Sequence, residues 1–117
     1  MNDQEKARII AEMMGWWLYD AGDYPLDCWI NSSDEVVCDR QDYDPTNNVA
    51  QAIEAANYWY EQNSDKNCGW SLSTVPGGKR YCIVEADGDM GYDYWEATAD
   101  TEAAAIVDAL LAAMEGS

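Results

Sequence analysis

Hydrophobic positions along the chain switch between a helical period and an alternating one, and the switches mark the elements. Ile9, Ile10, Met13 and Met14 recur at helical spacing, behind Asn2 or Asp3 as a cap and ahead of Gly15, a residue that ends helices by adopting left-handed backbone. This predicts a first amphipathic helix near residues 3 to 14. From Trp16 to Asp39 the texture changes to short apolar or alternating runs, WWLYD, LDCWI and EVVCD, broken by AGDYP and by the polar turn Asn31-Ser32-Ser33-Asp34. Three short strands are predicted there, the last two as a hairpin.

Asp44 followed by Pro45 reads as the next helix start, because an Asp cap accepts backbone N–H groups and proline gives up a donor that has no partner in the first turn. Val49, Ala52, Ile53, Ala56, Trp59 and Tyr60 then repeat at steps of three and four, predicting a second helix over about residues 45 to 62. Beyond the polar stretch Gln62 to Asn67 lie CGWSLSTV and KRYCIVEA, joined by Pro76-Gly77-Gly78, whose glycines tolerate a tight hairpin turn. The run YDYWEAT follows the turn Asp87-Gly88-Asp89-Met90-Gly91 and completes an antiparallel meander. In KRYCIVEA both alternating faces are apolar, Tyr81 and Ile83 against Cys82, Val84 and Ala86, which suits a strand covered on both sides by helices. Asp100 is the expected cap of a last helix, residues 100 to 115, with Ile106, Val107, Leu110, Leu111 and Met114 as its stripe and Gly116 just past its end. The expected fold is α+β with a mostly antiparallel sheet, in the order α-βββ-α-βββ-α, as a single acidic domain over residues 1–117.

Composition changes this picture in one respect. The chain has 48% apolar residues, 6 Trp and 8 Tyr, enough for one core in 117 residues, so its acidity does not signal disorder. That acidity is extreme: 23 Asp and Glu oppose 6 Lys and Arg, with no His, for a formal net charge of -17. Such a surface repels nucleic acid, anionic lipid and phosphate-rich ligands, and favours a basic partner. The opening MNDQEKARII has no apolar leader region, and no run approaches the length of a membrane span, so a soluble intracellular protein is expected. Cys28, Cys38, Cys68 and Cys82 are separated by 10, 30 and 14 positions, which is no zinc pattern. Buried free thiols are the preferred reading over a disulfide or a metal.

The segments NDQEKARIIAEMMGWW, YDPTNNVAQAIEAANYW and DTEAAAIVDALLAAM resemble, in that order, three segments of the phage ABA sandwich domain family, small phage-encoded proteins without established chemistry. The resemblance implies a three-layer α/β/α sandwich and a phage origin, and it brings no catalytic residues. Residues 18 to 42 are more acidic and richer in Trp than it implies.

Chemistry is excluded class by class. Ser-His-Asp and Cys-His catalysis need an imidazole that the chain does not possess. Pro76-Gly77-Gly78-Lys79 lacks the spacing of a phosphate loop and its magnesium-holding hydroxyl. Paired carboxylates for glycoside hydrolysis arise by chance among 23 acids. Asp87 to Asp93 sets acids at alternate positions like the start of a calcium loop, but its glycine comes one position early and Thr98 stands where the bidentate Glu is required. No enzyme activity, metal or cofactor is expected.

The acids form two runs. Asp20, Asp23, Asp27, Asp34, Glu35, Asp39, Asp42 and Asp44 are opposed only by Arg40, while Glu85, Asp87, Asp89, Asp93 and Glu96, followed by Asp100 and Glu102, meet no base. A solvated face is the bland interpretation. The functional one is that carboxylates on a rigid sheet imitate the phosphates of a nucleic acid, with Trp and Tyr at strand edges as anchors or else as core. The expected function is that of a phage-encoded, non-enzymatic protein in the host cytoplasm that occupies the basic nucleic-acid-binding surface of a host defence protein and binds no nucleic acid or membrane itself. The alternatives are a pocket protein sequestering a cationic or neutral ligand between sheet and helix, and a structural or assembly role in the phage particle.

Overall fold

The computed structural model describes residues 1–19, 27–63, 68–88 and 91–115. In chain order it contains α1 (Asp3–Met13), β1 (Trp17–Tyr19), β2 (Cys28–Ile30), β3 (Val36–Asp39), a short 3₁₀ turn (Arg40–Asp42), α2 (Val49–Gln62), β4 (Gly69–Thr74), β5 (Arg80–Gly88), β6 (Gly91–Ala99) and α3 (Glu102–Glu115). The α+β class and the order α-βββ-α-βββ-α are those expected from the sequence. The six strands are shared between two antiparallel sheets, β1-β2-β3 and β4-β5-β6. The chain forms two compact units, residues 1–44 and residues 45–117.

In the first unit, the Asn2 side chain accepts a 2.9 Å hydrogen bond from the Glu5 N–H and so satisfies a donor of the first turn of α1. The helix ends ahead of Gly15, at φ 78°, as its sequence predicts. Its buried positions are Ala7, Ile10 and Ala11, with Met14 just beyond it, whereas Ile9 and Met13 of the expected stripe are half-buried. Strand pairing sets Leu18, Trp29 and Cys38 side by side on one face and Tyr19, Cys28 and Asp39 on the other. The β2–β3 hairpin is pinned by Asn31, whose Oδ1 accepts from the Ser33 and Glu35 N–H groups at 2.9 and 3.0 Å. Asp34 at its tip has φ 62°, a left-handed conformation that Asp tolerates better than most residues.

In the second unit, α2 starts later than Asp44-Pro45 suggested. Pro45 lies fully buried in a turn, and Asn48 caps the helix instead, accepting a 3.2 Å bond from the Gln51 N–H. The packed face of α2 is Ala52, Ala55, Ala56 and Trp59, while Val49, Ile53 and Tyr60 are exposed. Helix α2 runs against α3, and alanines allow that close approach where larger side chains would hold the helices apart. Thr101 caps α3 through a 3.2 Å bond from the Ala104 N–H, displacing Asp100 from that expected role; the expected stop at Gly116 lies outside the described residues.

Helix α3 buries Ala103, Ala105, Ile106, Val107, Ala109, Leu110 and Ala113, and packs on β5 and β6. The facing sheet positions Cys82 and Val84 are fully buried. The β4–β5 hairpin turns through Gly77 and Gly78, at φ 94° and 78°, as expected of the Pro-Gly-Gly sequence. Because α2 reaches the same face of the sheet through a hydrogen bond from Trp70 Nε1 to Asn57 Oδ1, both helices of this unit lie on one side. The other face of β5, expected under a helix, leaves Tyr81 and Ile83 half-buried.

Candidate acidic surface

The expected site residues divide between the two units. In the first, Asp27 is half-buried at the start of β2 and pairs with Arg40 at 3.5 Å; the Arg40 N–H also donates to the Asp27 carbonyl at 2.8 Å, so backbone and side chain brace the same corner. Asp34 and Glu35 are exposed at the pinned hairpin tip, Asp42 is exposed in the 3₁₀ turn, and Asp39 and Asp44 are half-buried. Asp20 and Asp23 lie outside the described residues.

In the second unit, register decides which acids share a face. Glu85 stands opposite Tyr94 and Glu96 opposite Ile83, so Glu85, Glu96, Tyr81 and Tyr94 share the face turned away from the helices. Asp93 stands opposite Ala86 and so occupies the helix-facing side, exposed. Asp87 belongs to the end of β5, and Asp89 is outside the described residues. The second run is thus not one cluster. The Tyr81 hydroxyl donates to Glu96 Oε2, and its hydrogen bond to that carboxylate, with the burial and negative charge around it, pushes the Tyr81 pKa up to about 12.

The two described bases of this unit stand apart from Glu85 and Glu96. Lys79 pairs with Asp100 at 3.6 Å, while Arg80 pairs with Glu102 at 3.5 Å and donates to Thr74 Oγ1 at 2.8 Å. The units carry nearly equal charge and so unequal density: residues 1–44 hold eleven acids against three bases, and the longer stretch 45–117 twelve against three. All nine expected acidic residues with described side chains are exposed or half-buried, although Asp44 Oδ1 is itself buried.

Periodicity alone misses three features. Trp17 and Tyr19 are 46% and 48% exposed on β1 with their rings 6.1 Å apart, making them surface aromatics rather than core. The Tyr81–Glu96 pair becomes visible only once the β5–β6 register is fixed. The third is a recess of about 420 Å³ in the first unit, lined at its floor by Ala7, Leu18, Trp29 and Tyr43 and at its rim by polar residues of α1 together with Arg40, Gln41 and Asp44. Trp16 packs edge-on against Tyr43 at 5.0 Å.

All four cysteines are free thiols; Cys28 and Cys38 fall on opposite faces of their sheet, and burial pushes the Cys82 thiol up to about 11. Among the described residues, no group of His, Cys, Asp and Glu is arranged to hold a metal ion, and no helix is long and apolar enough to cross a membrane. Comparison with protein-family models, curated proteins and solved structures gives no match.

Proposed function

We propose that this chain is a non-enzymatic acidic binding module, phage-encoded and acting in the host cytoplasm, that occupies the basic nucleic-acid-binding surface of a host defence protein and excludes the nucleic acid. The phage setting rests on the resemblance of the three helical segments to the phage ABA sandwich family. The observation that carries the binding mode is the combination of a net charge of -17 with carboxylates fixed on regular backbone at the surface, at the Asn31 hairpin and on β5 and β6. Charges held this way lose little entropy when they meet arginine or lysine, and the field around them speeds encounter. Trp17, Tyr19 and Tyr94 are exposed aromatics next to the acids and supply contact area that slows dissociation.

The test neutralises two sets: Asp34, Glu35, Asp39 and Asp42 to Asn or Gln in one variant, Glu85, Asp87, Asp89, Asp93 and Glu96 to Gln or Asn in another. Asn tolerates the left-handed backbone at Asp34, so the first variant keeps its hairpin. One set abolishes inhibition of the effector while the protein stays folded. Full activity in both variants would sink the proposal. The recess under α1 favours a second reading, sequestration of a small ligand against Trp29 and Tyr43. Binding there quenches tryptophan fluorescence with little dependence on salt, unlike a many-charge interface.

A further inference from the structure

The face of the β4-β5-β6 sheet opposite α2 and α3 holds an arrangement more specific than net charge. Tyr94 stands directly opposite Glu85, and Glu96 follows two residues along β6 on the same face. Directly opposed residues are about 5 Å apart and diagonal neighbours about 7–8 Å, distances that long side chains span, so both carboxylates are neighbours of one aromatic ring. Tyr94 is 56% exposed, Glu96 is exposed and Glu85 is half-buried. The Tyr81 hydroxyl holds Glu96 in place before anything binds, which lowers the ordering cost of an interface. Arg80 belongs to the opposite face by register, standing across from Thr74 and Ala99, and it and Lys79 are engaged with Glu102 and Asp100.

The chemistry selects an occupant. A guanidinium is planar, stacks on an aromatic ring and donates in a fork to carboxylates; an ammonium is a compact, strongly hydrated charge that does neither as well. We infer that Glu85, Tyr94 and Glu96 form the docking point for one arginine side chain of a basic protein partner, its guanidinium stacked on Tyr94 and bridging the two carboxylates. This rests on the proposed function in taking the partner to be basic, and it adds where that partner's arginine docks.

The experiment titrates the full chain at low salt with a short arginine homopeptide, and separately with its lysine counterpart, by calorimetry. Three variants are compared: Glu85→Gln with Glu96→Gln, Tyr94→Leu, and Glu54→Gln with Glu61→Gln, both exposed on α2 and outside the expected site, as a control that removes the same charge. Thermal melts establish that each is folded, and the isosteric Gln pair decides the matter if Tyr94→Leu is not. The arginine peptide binds the wild type more tightly than the lysine peptide does. Its affinity falls about tenfold in the Gln pair and in Tyr94→Leu, the size of one charge-assisted contact, and less than about twofold in the control. Equal losses in the Gln pair and the control, equal affinity for both peptides, or no effect at Tyr94 would overturn the arginine site and leave the electrostatic function standing. Failure of the wild type to bind either peptide at low salt would overturn both.

Discussion

Leu110 and Ile53 are both large aliphatic residues at helical spacing in the sequence, and the structure assigns them opposite fates. Leu110 of α3 is 0% exposed against the second sheet, whereas Ile53 of α2 is 37% exposed. Truncating Leu110 to alanine removes the transfer free energy of the lost carbons and leaves a cavity, together about 3 kcal/mol for a fully buried site. In a chain of this size each kcal/mol moves the midpoint by about 4 °C, so Leu110→Ala lowers Tm by about 12 °C. Ile53→Ala loses only partial burial, under about 1 kcal/mol, and moves Tm by less than about 4 °C. Calorimetric melts of the two variants beside the wild type measure the difference. The packing described for the second unit is refuted if Ile53→Ala costs as much as Leu110→Ala, because α2 would then bury the stripe that its periodicity suggested instead of its alanine face.

Two further outcomes follow from the charges. Self-repulsion at a net charge of -17, spread over both units, means that raising salt from low to moderate ionic strength increases Tm; a flat response would show the carboxylates already neutralised by close pairing. The Tyr81 pKa of about 12 lies above its ordinary value of 10.0, so the contact with Glu96 is in place below pH 10 and is lost as pH rises through about 12. A titration of phenolate absorbance shows a late component from Tyr81 that Glu96→Gln returns toward 10.0, and an unchanged titration in that variant would remove the pair.

Element order was legible because its signals are local. Gly15, Pro76-Gly77-Gly78 and the polar Asn31–Asp34 turn each fix the backbone within a few residues, and the strands between them alternate. Helix starts were less legible: Asp44-Pro45 and Asp100 are good caps by type, yet Pro45 is buried in a turn and both helices begin later in the chain, capped by Asn48 and Thr101. The packed face of α2 was misjudged for a related reason. Periodicity weighs Ile53 and Tyr60 above alanine, while a close helix partner selects small residues. Division of six strands into two sheets depends on long-range pairing, for which the chain holds no local signal. The acidic runs were visible in sequence as runs, but their grouping across strands was not: alternation along β6 separates Asp93 from Glu96, while the register of β5 against β6 is what puts Glu85 on the face of Glu96.

In the proposed function the acidic surface stands in for nucleic acid. Its most direct test is a competition in which a purified basic effector is loaded with labelled DNA or RNA, the protein is titrated in, and the titration is repeated across a range of salt concentrations. Mimicry requires stoichiometric displacement of the nucleic acid, an affinity for the effector that falls steeply as salt rises, and no binding of the free nucleic acid by the protein. Capture of the effector without displacement, or displacement indifferent to salt, would contradict it.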